Sequence, residues 1–153
     1  MTNKQQQYQE LAKQVASLVD GEHDIIANMA NISSLLYWSL SEVNWAGFYL
    51  LKDEQLVLGP FHGQPACIRI PIGKGVCGTA VAQRKAQLVY DVHDFAGHIA
   101  CDAASNSEVV IPIYQQDRII AVLDIDSPSV GRFDQDDLQG LQSILDCFES
   151  SLV

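Results

Sequence analysis

The chain is poor in positive charge. Nine Lys and Arg stand against 19 Asp and Glu, a formal net charge of −10 over 153 residues. Nucleic acid and anionic membrane surfaces both reward clustered Lys and Arg, so this balance argues against either as a partner. Small cationic or zwitterionic ligands stay open. No apolar run approaches the roughly 20 residues of a membrane span. Met1-Thr2-Asn3-Lys4, followed by glutamines, lacks the apolar core of a secretory signal, so the expected location is cytoplasmic. Only four cysteines occur. In a reducing compartment they read as inert core thiols, metal ligands or redox catalysts rather than structural disulfides. Repeats, low-complexity tracts and proline-rich linkers are absent. The length fits one domain over 1–153, large enough to bury roughly 70% of its unfolded surface.

What is present divides by period. Tyr8, Leu11, Ala12, Val15, Leu18 and Val19 recur at helical spacing and stop near Asp20-Gly21. Ile25, Ile26, Met29, Ile32, Leu36 and Leu40 give a second helix. From Asn44 the period changes. Trp45 to Leu51 and Gln55 to Leu58 read as strands joined by Lys52-Asp53-Glu54. A short strand at Ile68-Arg69-Ile70 precedes a helix from Val76 to about Gln83, and Leu88-Val89-Tyr90 is a further strand. A loop of more than a dozen residues follows, and such loops in compact domains are often functional. Val109–Tyr114 and Ile119–Ile125 form a hairpin around Gln115-Gln116-Asp117. The chain closes on a helix capped by Asp134, with Leu138, Leu141, Ile144, Leu145 and Phe148 on one face. Two leading helices, a mostly antiparallel sheet and a closing helix make an α+β fold.

Three acids sit where folding alone gives no reason to place them. Asp124 and Asp126 interrupt Val122-Leu123-Asp124-Ile125-Asp126, a run otherwise apolar enough for a buried strand. Side chains alternate along a strand, so both aspartates share one face. A three-residue hairpin loop pairs Tyr114 with Arg118 and sets Glu108 opposite Asp124, with Cβ atoms about 5 Å apart. A two-residue loop turns Glu108 to the other face. Convergence of the three raises at least one pKa and makes them titrate as a unit, so a proton stays near neutral pH for donation while the remaining charge holds an ammonium. Solvated acids at a strand end, or a Mg²⁺ or Ca²⁺ site, are the alternatives.

The cysteines fall into different settings. Cys147 lies beside Ile144 and Phe148 and reads as a small core residue. Cys77 follows Gly73-Lys74-Gly75-Val76 at a helix start, where the dipole and a nearby Lys favour thiolate. Cys101 ends the long loop three residues after His98, and Cys67 follows Gly63-Gln64-Pro65 just before a strand; both are expected to be exposed and movable. His62, Cys67, His98 and Cys101 offer an alternative zinc set, although neither His–Cys pair repeats the tight CxxC knuckle of structural sites and zinc leaves the acids without a role. Acids near a nucleophilic cysteine deplete its thiolate. His98, or a cationic substrate group, would offset them.

Several stretches carry a family resemblance. Asn44-Trp45-Ala46-Gly47-Phe48-Tyr49-Leu50, Leu58-Gly59-Pro60-Phe61-His62-Gly63 and Gly73-Lys74-Gly75-Val76-Cys77-Gly78-Thr79-Ala80 belong to it. So do Phe95-Ala96-Gly97-His98-Ile99-Ala100-Cys101, Ser105-Asn106-Ser107-Glu108 and Val122 to Ser127. Together they closely resemble the free methionine-R-sulfoxide reductases, bacterial and fungal enzymes built on a single GAF domain. The resemblance implies an antiparallel sheet of about six strands, with the terminal helices on one side and the ligand pocket on the other. It implies Cys101 as nucleophile, Cys67 as main resolving thiol and Cys77 as a secondary one. It assigns Glu108, Asp124 and Asp126 to substrate binding and proton supply, and Trp45 and Tyr49 to the pocket wall.

The implied reaction reduces free L-methionine (R)-S-oxide through a Cys101 sulfenic acid and an intramolecular disulfide, with thioredoxin or a similar dithiol as reductant. No cofactor or metal is implied, and a homodimer is compatible with the sequence. His62 departs from the family, where glutamine is expected, and is placed to alter pH dependence near Cys67. The alternatives are a non-catalytic GAF sensor of small molecules, which would not need Cys101, and a zinc-binding interaction module.

Overall fold

The helices begin where capping residues stand. A computed structural model describes residues 1–98 and 104–152. Thr2 caps α1 (Asn3–Val19) in a capping box with Gln5, and Asp24 caps α2 (Ile25–Ser39) by accepting from the Ala27 amide. Asp134 and Asp137 form the equivalent box at the start of α4 (Gln135–Ser150). Leu18 and Ile26 fall outside the buried stripes and are exposed. Between α2 and α4 run six strands: β1 (Trp45–Lys52), β2 (Gln55–Gly63), β3 (Arg69–Pro71), β4 (Gln87–Val89), β5 (Ser107–Gln115) and β6 (Arg118–Ser127). Helix α3 (Gly75–Gln83) separates β3 from β4.

The strands form one sheet in the order β3-β2-β1-β6-β5-β4, with antiparallel neighbours throughout. Strict alternation sorts its two faces. Ala46, Phe48, Ile111, Leu123 and Ile125 point toward α1, α2 and α4 and join Leu11, Met29, Leu36, Leu141 and Phe148 in the larger core. Trp45, Tyr49, Val110 and Val122 point the other way and pack with Ile70, Val76, Cys77 and Ala80 around α3. This gives the expected layering, with terminal helices on one face and a second apolar layer on the other.

Both hairpin loops are shorter than the sequence predicts. Lys52 pairs with Gln55, and Gln115 with Arg118, so each loop has two residues. Asp53, Glu54, Gln116 and Asp117 all take positive φ, between 51° and 65°, as a primed turn demands at both central positions. None is the glycine that usually announces such a turn. By itself, the two-residue loop would send Glu108 to the helix face. A bulge prevents this: Tyr114 pairs with Ile119 but Ile113 pairs with Ala121, so Ile120 is an extra residue in β6. The register recovers its parity. Glu108 lies opposite Asp126, rather than opposite Asp124 as expected, and Asp124 lies opposite Val110.

Strand β2 also runs longer than its sequence predicts, through Gly59-Pro60. Gly47 pairs with Phe61 and Tyr49 with Leu58, which places Gly59-Pro60 in a bulge where a proline is tolerated. That bulge brings Phe61 down onto Gly47. A Cβ at position 47 would lie 2.3 Å from the Phe61 Cβ and 2.9 Å from the Pro60 carbonyl oxygen. Gly47→Ala is therefore expected to destabilise the fold by about 2 kcal/mol through overpacking against backbone. A urea midpoint equal to that of the parent protein would show that β2 moves aside at no cost.

Candidate active site

The acid-bearing ends of β5 and β6 and the first turn of α3 face one another across a small pocket. Trp45, Tyr49, Cys77, His98, Ser105, Glu108, Asp124 and Asp126 all line it. Strand phase and the β6 bulge put the three acids on this face, and α3 supplies Cys77 from the opposite side. Glu108 is 8% exposed and Asp124 5%. A Cys77 Sγ, a Glu108 oxygen and an Asp124 oxygen lie within 4.8 Å of one another.

Among the described residues, no Lys or Arg pairs with Glu108 or Asp124. The cost of burial is met by protons instead. Burial pushes the Glu108 carboxyl well above its ordinary range, and the charges of Asp124 and Asp126 push it further. Burial also raises Asp124, against the lowering effect of hydrogen bonds from Glu108, Asp126 and Cys77. At least one proton therefore stays on the group at pH values where an exposed carboxyl is ionised. Asp124 Oδ1 is buried and has no hydrogen-bond partner among the described residues. An acceptor left this way is costly unless a ligand donor reaches it.

The pocket wall is aromatic. Trp45 and Tyr49 stack with centroids 5.9 Å apart, and Phe61 stacks on Trp45 at 5.1 Å. Burial, followed by the neighbouring Asp124, Cys77, Asp126 and Glu108, pushes the Tyr49 hydroxyl pKa up, so it stays a donor. It donates to the Cys67 carbonyl at 3.0 Å, and Trp45 Nε1 donates to the Gln64 carbonyl at 3.0 Å. Two wall residues thus also strap the 64–67 segment to the pocket.

The thiols differ in state. Cys67 is disulfide-bonded, while Cys77 and Cys147 are free. Cys67 is half-buried rather than exposed. Cys101, the expected nucleophile, lies outside the described residues. Cys147 behaves as expected, packed against the large core with its Sγ 3.7 Å from the Ala12 carbonyl. Cys77 corrects the sequence reading. It does stand at the α3 N-terminus, but burial, then Asp124, Glu108 and Asp126, drives its pKa well above the ordinary thiol value. Three acids and desolvation outweigh a helix dipole, so it is held as a thiol.

The histidines also separate. His98 lines the pocket, and burial together with His93 lowers its pKa against the pull of Asp124. His62 sits across the sheet, its ring 4.4 Å from Tyr37 and 5.7 Å from Trp38. Alternation in β2 turns it to the α2 side while Phe61 takes the pocket side, so His62 does not reach Cys67 as expected. The alternative zinc set loses His62 to that face and the Cys67 thiolate to its disulfide. Ser105 is a wall residue not singled out from sequence, and Phe61 backs the wall by stacking on Trp45. Gly47 carries a signal for Phe61, since a glycine inside a strand marks close approach of another backbone.

The fold is that of a GAF domain, a family that residues 27–146 match. An Escherichia coli K12 protein, free methionine-R-sulfoxide reductase, is 54% identical over 150 residues, spanning 98% of this chain and 91% of its own. The reduced form of fRMsr from Staphylococcus aureus is 54% identical and superimposes with a TM-score of 0.94, covering 100% of this chain and 97% of that one. Free methionine-R-sulfoxide reductase from Neisseria meningitidis, solved in complex with its substrate, gives 0.94 at 39% identity over 99% of this chain and 91% of its own. The chain belongs to the free methionine-R-sulfoxide reductase family. Among the described residues, no helix is long and apolar enough to cross a membrane.

The raised carboxyls make stability depend on pH in a defined direction. A carboxyl whose folded pKa lies above its unfolded value of 4.5 leaves stability intact below that value and removes it as pH rises through the folded pKa. Glu108→Gln keeps the hydrogen-bonding shape and cannot ionise. It is expected to gain about 1–3 kcal/mol over the parent protein at pH 8 and almost nothing at pH 4. Thermal melts of both proteins across that range test it; parallel curves would mean that Glu108 is not a buried titrating group.

Proposed function

We propose that the chain reduces the R epimer of free methionine sulfoxide, with Cys101 as nucleophile and Cys67 as its main resolving thiol. The observation that carries the reading is the buried acid group, with proton-holding Glu108 and an unpartnered Asp124 oxygen, facing a Trp45–Tyr49 wall. The substrate ammonium lies against Asp124 and Asp126, and its thioether methyl against the aromatic rings. A peptide-bound residue has no ammonium to bring, so the acids select the free amino acid. The ammonium also neutralises the acids, which ties thiolate formation to occupancy.

Chemistry then needs one proton and one electron pair. The Cys101 thiolate attacks the electrophilic sulfur while a carboxyl of the group protonates the sulfoxide oxygen. The S–O bond breaks as hydroxyl passes to the Cys101 sulfur, which is oxidised to sulfenic acid as methionine is released. The Cys67 thiol condenses with it, losing water and forming a disulfide. Support for Cys67 comes from its being disulfide-bonded while Cys77 and Cys147 are free. Cys77, held as a thiol among the acids, serves as a secondary resolving thiol. A cytoplasmic dithiol such as thioredoxin, near −270 mV, returns the pair to thiols. A non-catalytic GAF sensor would bind the same ligand without consuming it.

The deciding measurement is consumption of separated R and S epimers of free methionine sulfoxide with a dithiol reductant. Wild type is expected to consume only R, and Cys101→Ser to lose at least 1,000-fold in kcat, as removal of a nucleophile does. Undiminished turnover in the variant would overturn the nucleophile assignment. Because the acid must hold a proton, kcat is expected to fall as pH rises through the pKa of the group. Asp126→Asn is expected to raise KM by about tenfold or more, the share of one charge-assisted contact to the ammonium. Unchanged KM would remove Asp126 from the binding role.

A further inference from the structure

The resolving scheme makes little use of the place where Cys77 stands. The residue is 3% exposed, its thiol is free, and its sulfur sits within 4.8 Å of carboxyl oxygens from Glu108 and Asp124. Three donors bound to one ion at about 2.0–2.3 Å lie no further than roughly 4.6 Å apart, so the cluster needs almost no rearrangement to ligate. The donors come from three elements, α3, β5 and β6, and converge on one point. A second observation points to a ligand there: Asp124 is 5% exposed and its Oδ1, in the pocket wall, has no partner among the described residues.

We propose that Cys77, Glu108 and Asp124 form a binding site for Zn²⁺ or a similar borderline-soft divalent cation, which shuts the pocket against substrate. The donor chemistry selects the ion. A thiolate with two carboxylates suits zinc, whereas Mg²⁺ requires six oxygens in near-octahedral array and gains nothing from sulfur. Three protein ligands leave a fourth position for water. The ion takes the place of the substrate ammonium, so metal and substrate exclude one another. Binding displaces the thiol proton and the proton held by the carboxyl group to solvent, and changes no oxidation state. The site also persists when Cys67 is disulfide-bonded, because Cys77 is free in that state. It differs from the zinc set considered from sequence, sharing none of its four residues.

The oxidised full-length chain is the right material, since its resolving thiol is already tied up and cannot bind metal. Co²⁺ serves as a spectroscopic stand-in for Zn²⁺. One equivalent is expected to bind and produce a near-ultraviolet sulfur-to-cobalt charge-transfer band, which one equivalent of Zn²⁺ abolishes. Cys77→Ser is expected to remove the band and weaken Zn²⁺ binding at least tenfold, while Cys147→Ser keeps both. Free methionine is expected to weaken Co²⁺ binding to wild type in proportion to its concentration. That arm holds even where Cys77→Ser fails to fold. Binding without a charge-transfer band, or a band that survives Cys77→Ser, would each overturn the site, and a band that methionine leaves unchanged would overturn the exclusion of substrate, which rests on the proposed binding of the ammonium to the acids. None of these outcomes touches the epimer assay, so the reductase reading stands or falls separately.

Discussion

Burying carboxylates is the constraint on which this molecule turns. The chain solves that problem twice, in opposite ways. Asp137, wholly buried between α1 and α4, accepts from the Tyr8 hydroxyl at 2.7 Å and pairs with Lys4 at 2.9 Å and Arg132 at 3.2 Å. Every partner is supplied by the protein, and the result is a clip between helices. Glu108 and Asp124 are nearly as buried and receive no such cation among the described residues. Their charge is met by shared protons and, in the proposed reaction, by the ammonium of a ligand. The structural acid and the acids of the proposed site differ in who provides the counter-charge.

The acid group exists because of one extra residue. A two-residue primed turn at Gln116-Asp117 suits the twist of the β5–β6 hairpin, but its register alone would push Glu108 into the hydrophobic core. The bulge at Ile120 reverses the parity three residues into the hairpin. It sits far along the strand from the acids and touches none of them. A local backbone irregularity is thus converted into the chemistry of a pocket at the other end of two strands. The same device recurs in β2, where the Gly59-Pro60 bulge lowers Phe61 over Gly47 and sets it against Trp45 of the wall.

Much of this was legible in the sequence, and the failures have a common cause. Helical stripes such as Leu11, Val15 and Val19, and the aspartates of β6, follow from side-chain period alone, which the fold cannot override without exposing its core. Loop length and bulges carry no such periodic signal. Gln116 and Asp117 adopt positive φ without glycine, so nothing marked the short turn; the predicted parity was right although the predicted partner of Glu108 was not. The state of Cys77 was misread for a different reason. Sequence shows its helix start, but only three-dimensional proximity shows that two strands bring acids against it. His62 likewise looked close to Cys67 along the chain and is separated from it by the thickness of the sheet.

The placement of Cys77 also constrains where a nucleophile can be. A thiol set among these acids is held protonated, so the group best suited to give a proton is the worst neighbour for a sulfur that must lose one. In the proposed reaction the sheet face supplies the proton donor. The segment that carries the proposed nucleophile begins beyond His98, whose own pKa is depressed, so its neutral ring supplies none of the positive charge that would offset the acids. Ligand occupancy is then the step that reconciles the two, because an ammonium against Asp124 and Asp126 cancels the field that disfavours a nearby thiolate. On this account selectivity for a free amino acid and activation of the nucleophile are the same electrostatic event.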